Sequence, residues 1–189
     1  MKPRASHHLK LRAISVMAVL ALIGTGFNTG LNTSLATVIN TLTLEQQVEK
    51  AQIIMQTVIT SSEVQNRANN KTWTAYGLEP KKFIRGSSAE LTKLNIANKQ
   101  VPSLSIYGGA NIKLEGAPNF KAGDELVLLM YTKAYDNPIV GFNQGVYRVT
   151  GGKVTTLEGK PVAVTLVGKT VESTVENFLK RLEALAVGK

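Results

Sequence analysis

The sequence predicts an α+β domain built on a small antiparallel β-barrel, with a short N-terminal helix and an amphipathic C-terminal one. Three observations carry this. Runs rich in β-branched and apolar residues, such as 52–60 (QIIMQTVIT) and 124–131 (DELVLLMY), are bounded by Gly, Asn and Pro turn signals. Two capping-box sequences, 43–46 (TLEQ) and 173–176 (STVE), each precede an apolar helical repeat. Glycines interrupt the strand-like run 139–149 (IVGFNQGVYRV), as the bends of a small barrel require.

Residues 1–36 read as a secretory signal peptide. Lys2, Arg4, Lys10 and Arg12, with no acid among them, precede the apolar run Ala13–Ile23. Eleven residues at a helical rise cover only about half of a ~30 Å hydrocarbon core, so a cleaved leader is favoured over a permanent membrane anchor. Ser34 and Ala36 put small residues at −3 and −1. Cleavage after Ala36 leaves 37–189 as a single exported domain, in the bacterial periplasm or the medium.

The composition excludes many chemistries. The 189 residues hold 22 Lys plus Arg against 13 Asp plus Glu, for a formal charge of +9, and the four leader cations lower this to +5 once removed. Both histidines, His7 and His8, belong to the leader, and there is no cysteine. Ser-His-Asp and Cys-His catalysis, zinc held by Cys or His, His-ligated haem and disulfide scaffolding all need residues that the processed chain lacks. No cofactor and no metal is expected. A chain of roughly 150 residues can bury about 68 to 70% of its unfolded surface, so packing alone suffices to hold the fold.

The elements follow in order. Thr43 and Gln46 cap a short helix over about 44–51, in which Leu44, Val48 and Ala51 share a face. The run 52–60 is a short strand buried on both faces. Residues 63–71 (EVQNRANNK) are polar and read as a loop. A strand carrying Trp73 follows, and Pro80, which has no N–H to donate, makes it an edge strand or breaks it. Residues 87–100 are weakly patterned and read as a loop that can carry one helical turn. Strands are expected at 104–107, 124–131, 139–149 and 160–167, with turns at Gly108-Gly109, Lys121–Gly123 and Asp136–Pro138. The chain ends in a helix over about 174–186, where Val175, Phe178, Leu179, Leu182, Leu185 and Ala186 form one apolar face. That face is expected to cover one opening of the barrel.

Five or six strands flanked by two helices fit an OB-like barrel. An outer-membrane barrel is disfavoured, because it needs repeated alternating segments of about ten residues.

Each motif has a structural reading beside a functional one. Gly168-Lys169-Thr170 resembles the end of a phosphate-binding loop, but the required earlier glycine is Ala163, so Gly168 reads as a strand-to-helix turn. The pattern Gly108-Gly109, Leu114-Glu115-Gly116, Pro118 recurs as Gly151-Gly152, Leu157-Glu158-Gly159, Pro161. It either brings Glu115 and Glu158 together as a ligand site or brackets a short strand with turns twice, and the second reading is favoured. The processed chain has two aspartates, Asp124 and Asp136, both next to turns, which offers little to a carboxylate-based hydrolase. Lys71, Trp73, Tyr76, Lys81, Lys82, Phe83 and Arg85 mix cations with aromatics, either as a polyanion-binding face or as core rings beside edge-strand lysines. The stretch Gly141–Gly145 holds two amides between glycines, with Tyr147 and Arg148 close by. Asn143, Gln144, Tyr147 and Arg148 are therefore the candidate ligand contacts, with the two amides expected on opposite faces of a pleated strand.

Residues 83–86 (FIRG), 114–129 (LEGAPNFKAGDELVLL) and 140–149 (VGFNQGVYRV) resemble a group of uncharacterised bacterial secreted proteins. That group carries a G-x-P-x-F-x-x-G-[DE]-E stretch followed by G-x-x-Q-G-x-[FY]-R-[VI]. The similarity covers roughly 41–155 and implies an exported β-domain. It implies no catalytic residues. The expected function is a non-catalytic binding module for a protein or glycan. The alternatives are an exported binder of nucleic acid or another polyanion, with nucleic acid the less favoured partner, and a carboxylate-based hydrolase.

Overall fold

The longest element is a β-hairpin of which sequence patterning reveals only half. In the computed structural model, which describes residues 40–67, 71–94, 102–109, 115–133 and 135–188, β1 (Ile53–Arg67) runs antiparallel to β2 (Lys71–Arg85) over its whole length. The polar residues 63–67 thus belong to a strand and not to a loop. Backbone pairing needs no apolar side chains, so an exposed ladder can carry Ser61, Ser62 and Glu63 at little cost. The expected leader, its cleavage point and the Asn69-Asn70 turn lie outside the described residues.

β2 continues through Pro80. Here the register with β1 slips by one residue, passing from Gln56 opposite Lys82 to Thr57 opposite Pro80. The other neighbour, β3 (Ser103–Tyr107), pairs with β2 only from Trp73 to Gly77. Proline therefore occupies a bulge on a part of β2 that has one ladder and not two, which agrees with the edge-strand expectation.

β4 (Glu125–Met130) pairs with the first half of β1, β5 (Val146–Thr150) with β4, and β6 (Lys153–Thr156) with β5. The result is a six-stranded antiparallel sheet in the order β3-β2-β1-β4-β5-β6. The fold is α+β, but the sheet is open and not the closed barrel expected, since β3 and β6 end it as separate edges. A small second sheet pairs β7 (Val164–Leu166) with β8 (Lys169–Val171). Gly168 turns this hairpin together with Val167, both at positive φ, so it does not lead from a strand into a helix.

Strand period 2 divides the interior. Ile53, Met55 and Ile59 of β1 and Leu126, Leu128 and Met130 of β4 face one cluster, which Leu91 and Leu94 of α2 (Ser88–Leu94) and Phe120 complete. Ile54, Val127 and Leu129 face the other, where α1 (Leu44–Lys50) and α3 (Val175–Val187) pack. β1 and β4 are thus covered on both faces, as their near-continuous apolar runs suggest.

The first helix forms the expected capping box, whereas the last helix starts one residue later than its expected Ser173–Glu176 box. The Gln46 amide donates to Thr43 Oγ1 at 3.2 Å, and the Thr43 amide donates to Gln46 Oε1 at 2.9 Å. The last helix is capped by Thr174, which accepts from the Asn177 amide, and not by Ser173, whose hydroxyl donates to the Val154 carbonyl of β6. Its apolar face is buried as expected, with Phe178, Leu179 and Leu182 inside, but it lies on a sheet face and covers no barrel opening. Among the described residues, no helix is long and apolar enough to cross a membrane.

Candidate functional site

The run 139–149 is not one strand. After a single bridge at Ile139, residues 140–145 form a turn, and β5 begins only at Val146. The loop closes because the Gly145 amide donates to the Val140 carbonyl at 2.9 Å, while Leu129 bonds to both ends, donating to the Gly145 carbonyl and accepting from the Val140 amide. A Cβ on Gly145 would lie 2.7 Å from the Leu129 oxygen. Glycine is therefore required there by the close approach of another backbone.

Three of the four candidate contacts are engaged by the fold itself. Gln144 Oε1 accepts from the Leu42 amide at 2.6 Å and its Nε2 donates to the Asn40 carbonyl at 3.0 Å, so this carboxamide fastens the segment before α1. Tyr147 is buried, packs on Phe178 with centroids 4.7 Å apart and planes tilted by 55°, and donates its hydroxyl to Gln47. Arg148, on the opposite face of β5, pairs with Asp124 at 2.9 Å and donates to the Asn119 carbonyl at 3.1 Å, holding the 119–124 turn. Asn143 differs. Its carboxamide has no hydrogen-bonding partner among the described residues, and it approaches Gly116 beside the Phe142 ring.

That ring marks the wall of a cleft of about 830 Å³ lined by Tyr131, Tyr135, Asp136, Asn137, Ile139, Gly141 and Phe142. Tyr131 follows β4 directly, and its amide donates to the Pro138 carbonyl, which ties down the far side of the loop. The Tyr131 and Tyr135 rings meet edge to face, centroids 5.5 Å apart and planes 80° to one another. Asn137 closes an Asx turn by accepting from the Ile139 amide at 3.0 Å, and its Nδ2 donates to the Phe142 carbonyl at 2.6 Å.

Phe142 has φ +69°, a conformation that non-glycine residues adopt only when their surroundings impose it. Here the Asn137 bond to its carbonyl and the preceding Gly141, also at positive φ, hold it there. The strain fixes the ring at the cleft. The sequence expectations do not include this site, although two tyrosines four residues apart just before an Asp-Asn-Pro turn are a usable signal for exposed rings on a loop.

The other candidates resolve into structure. Trp73 is buried and packs edge to face on Tyr107, and Phe83 packs against the first cluster. Lys81 pairs with Glu125 and Lys82 with Glu183. Arg85 donates to the Val48 and Ala51 carbonyls at 2.6 and 2.7 Å and to that of Ala186 at 3.4 Å, so one guanidinium serves the C-terminal ends of α1 and α3. In the echoed motif, Gly151-Gly152 turns β5 into β6, and Glu115 and Glu158 are both exposed, while Leu114 lies outside the described residues. Among the described residues no group of three or more His, Cys, Asp or Glu comes together as a metal site. No protein-family model and no curated protein sequence matches the chain.

Proposed function

We propose that this chain is an exported, non-catalytic binding module that engages a protein or glycan through the cleft of Tyr131, Tyr135 and Phe142. The aromatic corner at the cleft carries the reading. Trp73, Tyr76, Phe120, Tyr147 and Phe178 are all buried, whereas Tyr135 stays 48% exposed beside Tyr131 and a strained Phe142. Open aromatic rings with a few polar neighbours are the usual lining of a recognition site. Asn143, beside Phe142 and with no hydrogen-bonding partner for its carboxamide among the described residues, is the adjoining polar contact.

Two observations favour this over the alternatives. The cations of the Lys81–Arg85 stretch are engaged with Glu125, Glu183 and helix-end carbonyls, which leaves that face poorly suited to a polyanion. Among the described lining residues Asp136 is the one carboxylate, whereas an acid-base hydrolase uses two.

The test is binding of the processed protein to immobilised glycans and peptides, alongside Tyr135→Ala. Ligands retained by the wild type and lost by the variant, at equal melting temperature, support the reading. Ligands held equally by both overturn the cleft assignment. Export is tested separately by mass spectrometry, where an N-terminus at Thr37 is expected and a retained Met1 in a membrane fraction overturns it.

A further inference from the structure

We infer that the cleft recognises an alkylated ammonium group, an inference that rests on the cleft being the ligand site. Its geometry suits a sphere better than a disc. The Tyr131 and Tyr135 rings stand at 80° to one another, so a flat ring can stack on only one of them at a time. A rounded cation can touch both, with Phe142 supplying further aromatic surface. Aromatic faces carry negative potential and attract cations, most effectively those with weakly held water.

Charge points the same way. Among the described residues Asp136 is the only charged side chain lining the cleft, and it is an anion. Both ends of the Asn137 carboxamide are already engaged, with the Ile139 amide and the Phe142 carbonyl, so most of the remaining lining is aromatic or apolar. Aromatic faces compensate a primary ammonium poorly for the water lost from its three N–H donors, whereas a methylated ammonium has few or none to desolvate. The alkylated form is therefore the better match.

The test titrates the processed protein with choline, with its neutral isostere 3,3-dimethylbutan-1-ol, and with ethanolamine, following tyrosine ring resonances by NMR. Choline is expected to shift Tyr131 and Tyr135 at roughly millimolar concentration, as a fragment of its size would. The isostere and ethanolamine are expected to bind about tenfold more weakly or less. Asp136→Asn should weaken choline by a similar factor, and Tyr135→Leu should abolish its binding, both with unchanged melting temperature. Equal binding of choline and the isostere would overturn the cationic preference while leaving the cleft as a binding site. Absence of any choline shift at these tyrosines also overturns it, and the Tyr135→Ala comparison on immobilised ligands then decides independently whether the cleft binds anything else.

Discussion

The Tyr147 hydroxyl donates to Gln47 Oε1 at 2.7 Å, joining β5 to α1 beneath the last helix. Gln47 passes the connection on, its Nε2 donating to the Leu42 carbonyl at 3.1 Å. A buried phenol and a buried amide thus satisfy one another where water does not reach, and the pair orients the helix on the sheet.

Burial holds the Tyr147 hydroxyl well above its ordinary value of 10.0, with the nearby Glu45 charge adding to the effect. Tyr76 is raised in the same direction by burial. A raised folded-state value means that stability is intact below the unfolded value and falls as pH rises beyond it, because only the unfolded chain ionises readily. Thermal melting should therefore drop above about pH 10, and less steeply in Tyr147→Phe. At neutral pH that variant should lose about 1 to 3 kcal/mol, since Gln47 Oε1 is left buried without a donor.

Gln144→Ala removes both bonds to the backbone of Asn40 and Leu42. A loss of about 1 to 2 kcal/mol in urea unfolding is expected, with faster exchange of the Leu42 amide. Asn143→Ala should stay within about 0.5 kcal/mol of wild type, as a substitution that breaks no internal bond does. Equal losses in the two variants would contradict this division of roles.

Arg85→Ala strips three carbonyls at two helix ends of their donor. The expected cost is about 2 to 4 kcal/mol by chemical denaturation, from the charge-assisted bonds and the partly buried acceptors left behind. Arg85→Lys should recover only part of it, because one ammonium cannot span the carbonyls of both helices as the planar fork does.

Leu182 is 0% exposed on the inner face of α3. Leu182→Asp buries an unpaired carboxylate among Phe178, Leu179 and their neighbours, and should lower stability by several kcal/mol or prevent folding. Leu182→Ala, which only opens a cavity, should cost about 2 to 5 kcal/mol and remain folded for comparison. A melting temperature unchanged in Leu182→Ala would mean that the helix does not dock in solution.

Local patterning was enough for the elements whose signals lie within a few residues. The Thr43–Gln46 box, the apolar face of α3 and the run 125–130 all depend on neighbours one turn or one pleat away, so they are legible in the residues alone. The same holds for the lack of cysteine and the confinement of histidine to positions 7 and 8, which composition decides. Tertiary structure decided the rest. Residues 63–67 become a strand because β2 offers a ladder, Gly141–Gly145 becomes a loop because Leu129 bonds to both Val140 and Gly145, and the sheet stays open with separate edges at β3 and β6. Gln144, Tyr147, Arg148 and Arg85 owe their roles to partners distant in the chain, and an aromatic cleft exists only once Asn137 holds Phe142 beside the two tyrosines. Hydrogen bonds and contacts of that kind are set by which backbones the folded sheet brings together, and local sequence periodicity does not encode that choice.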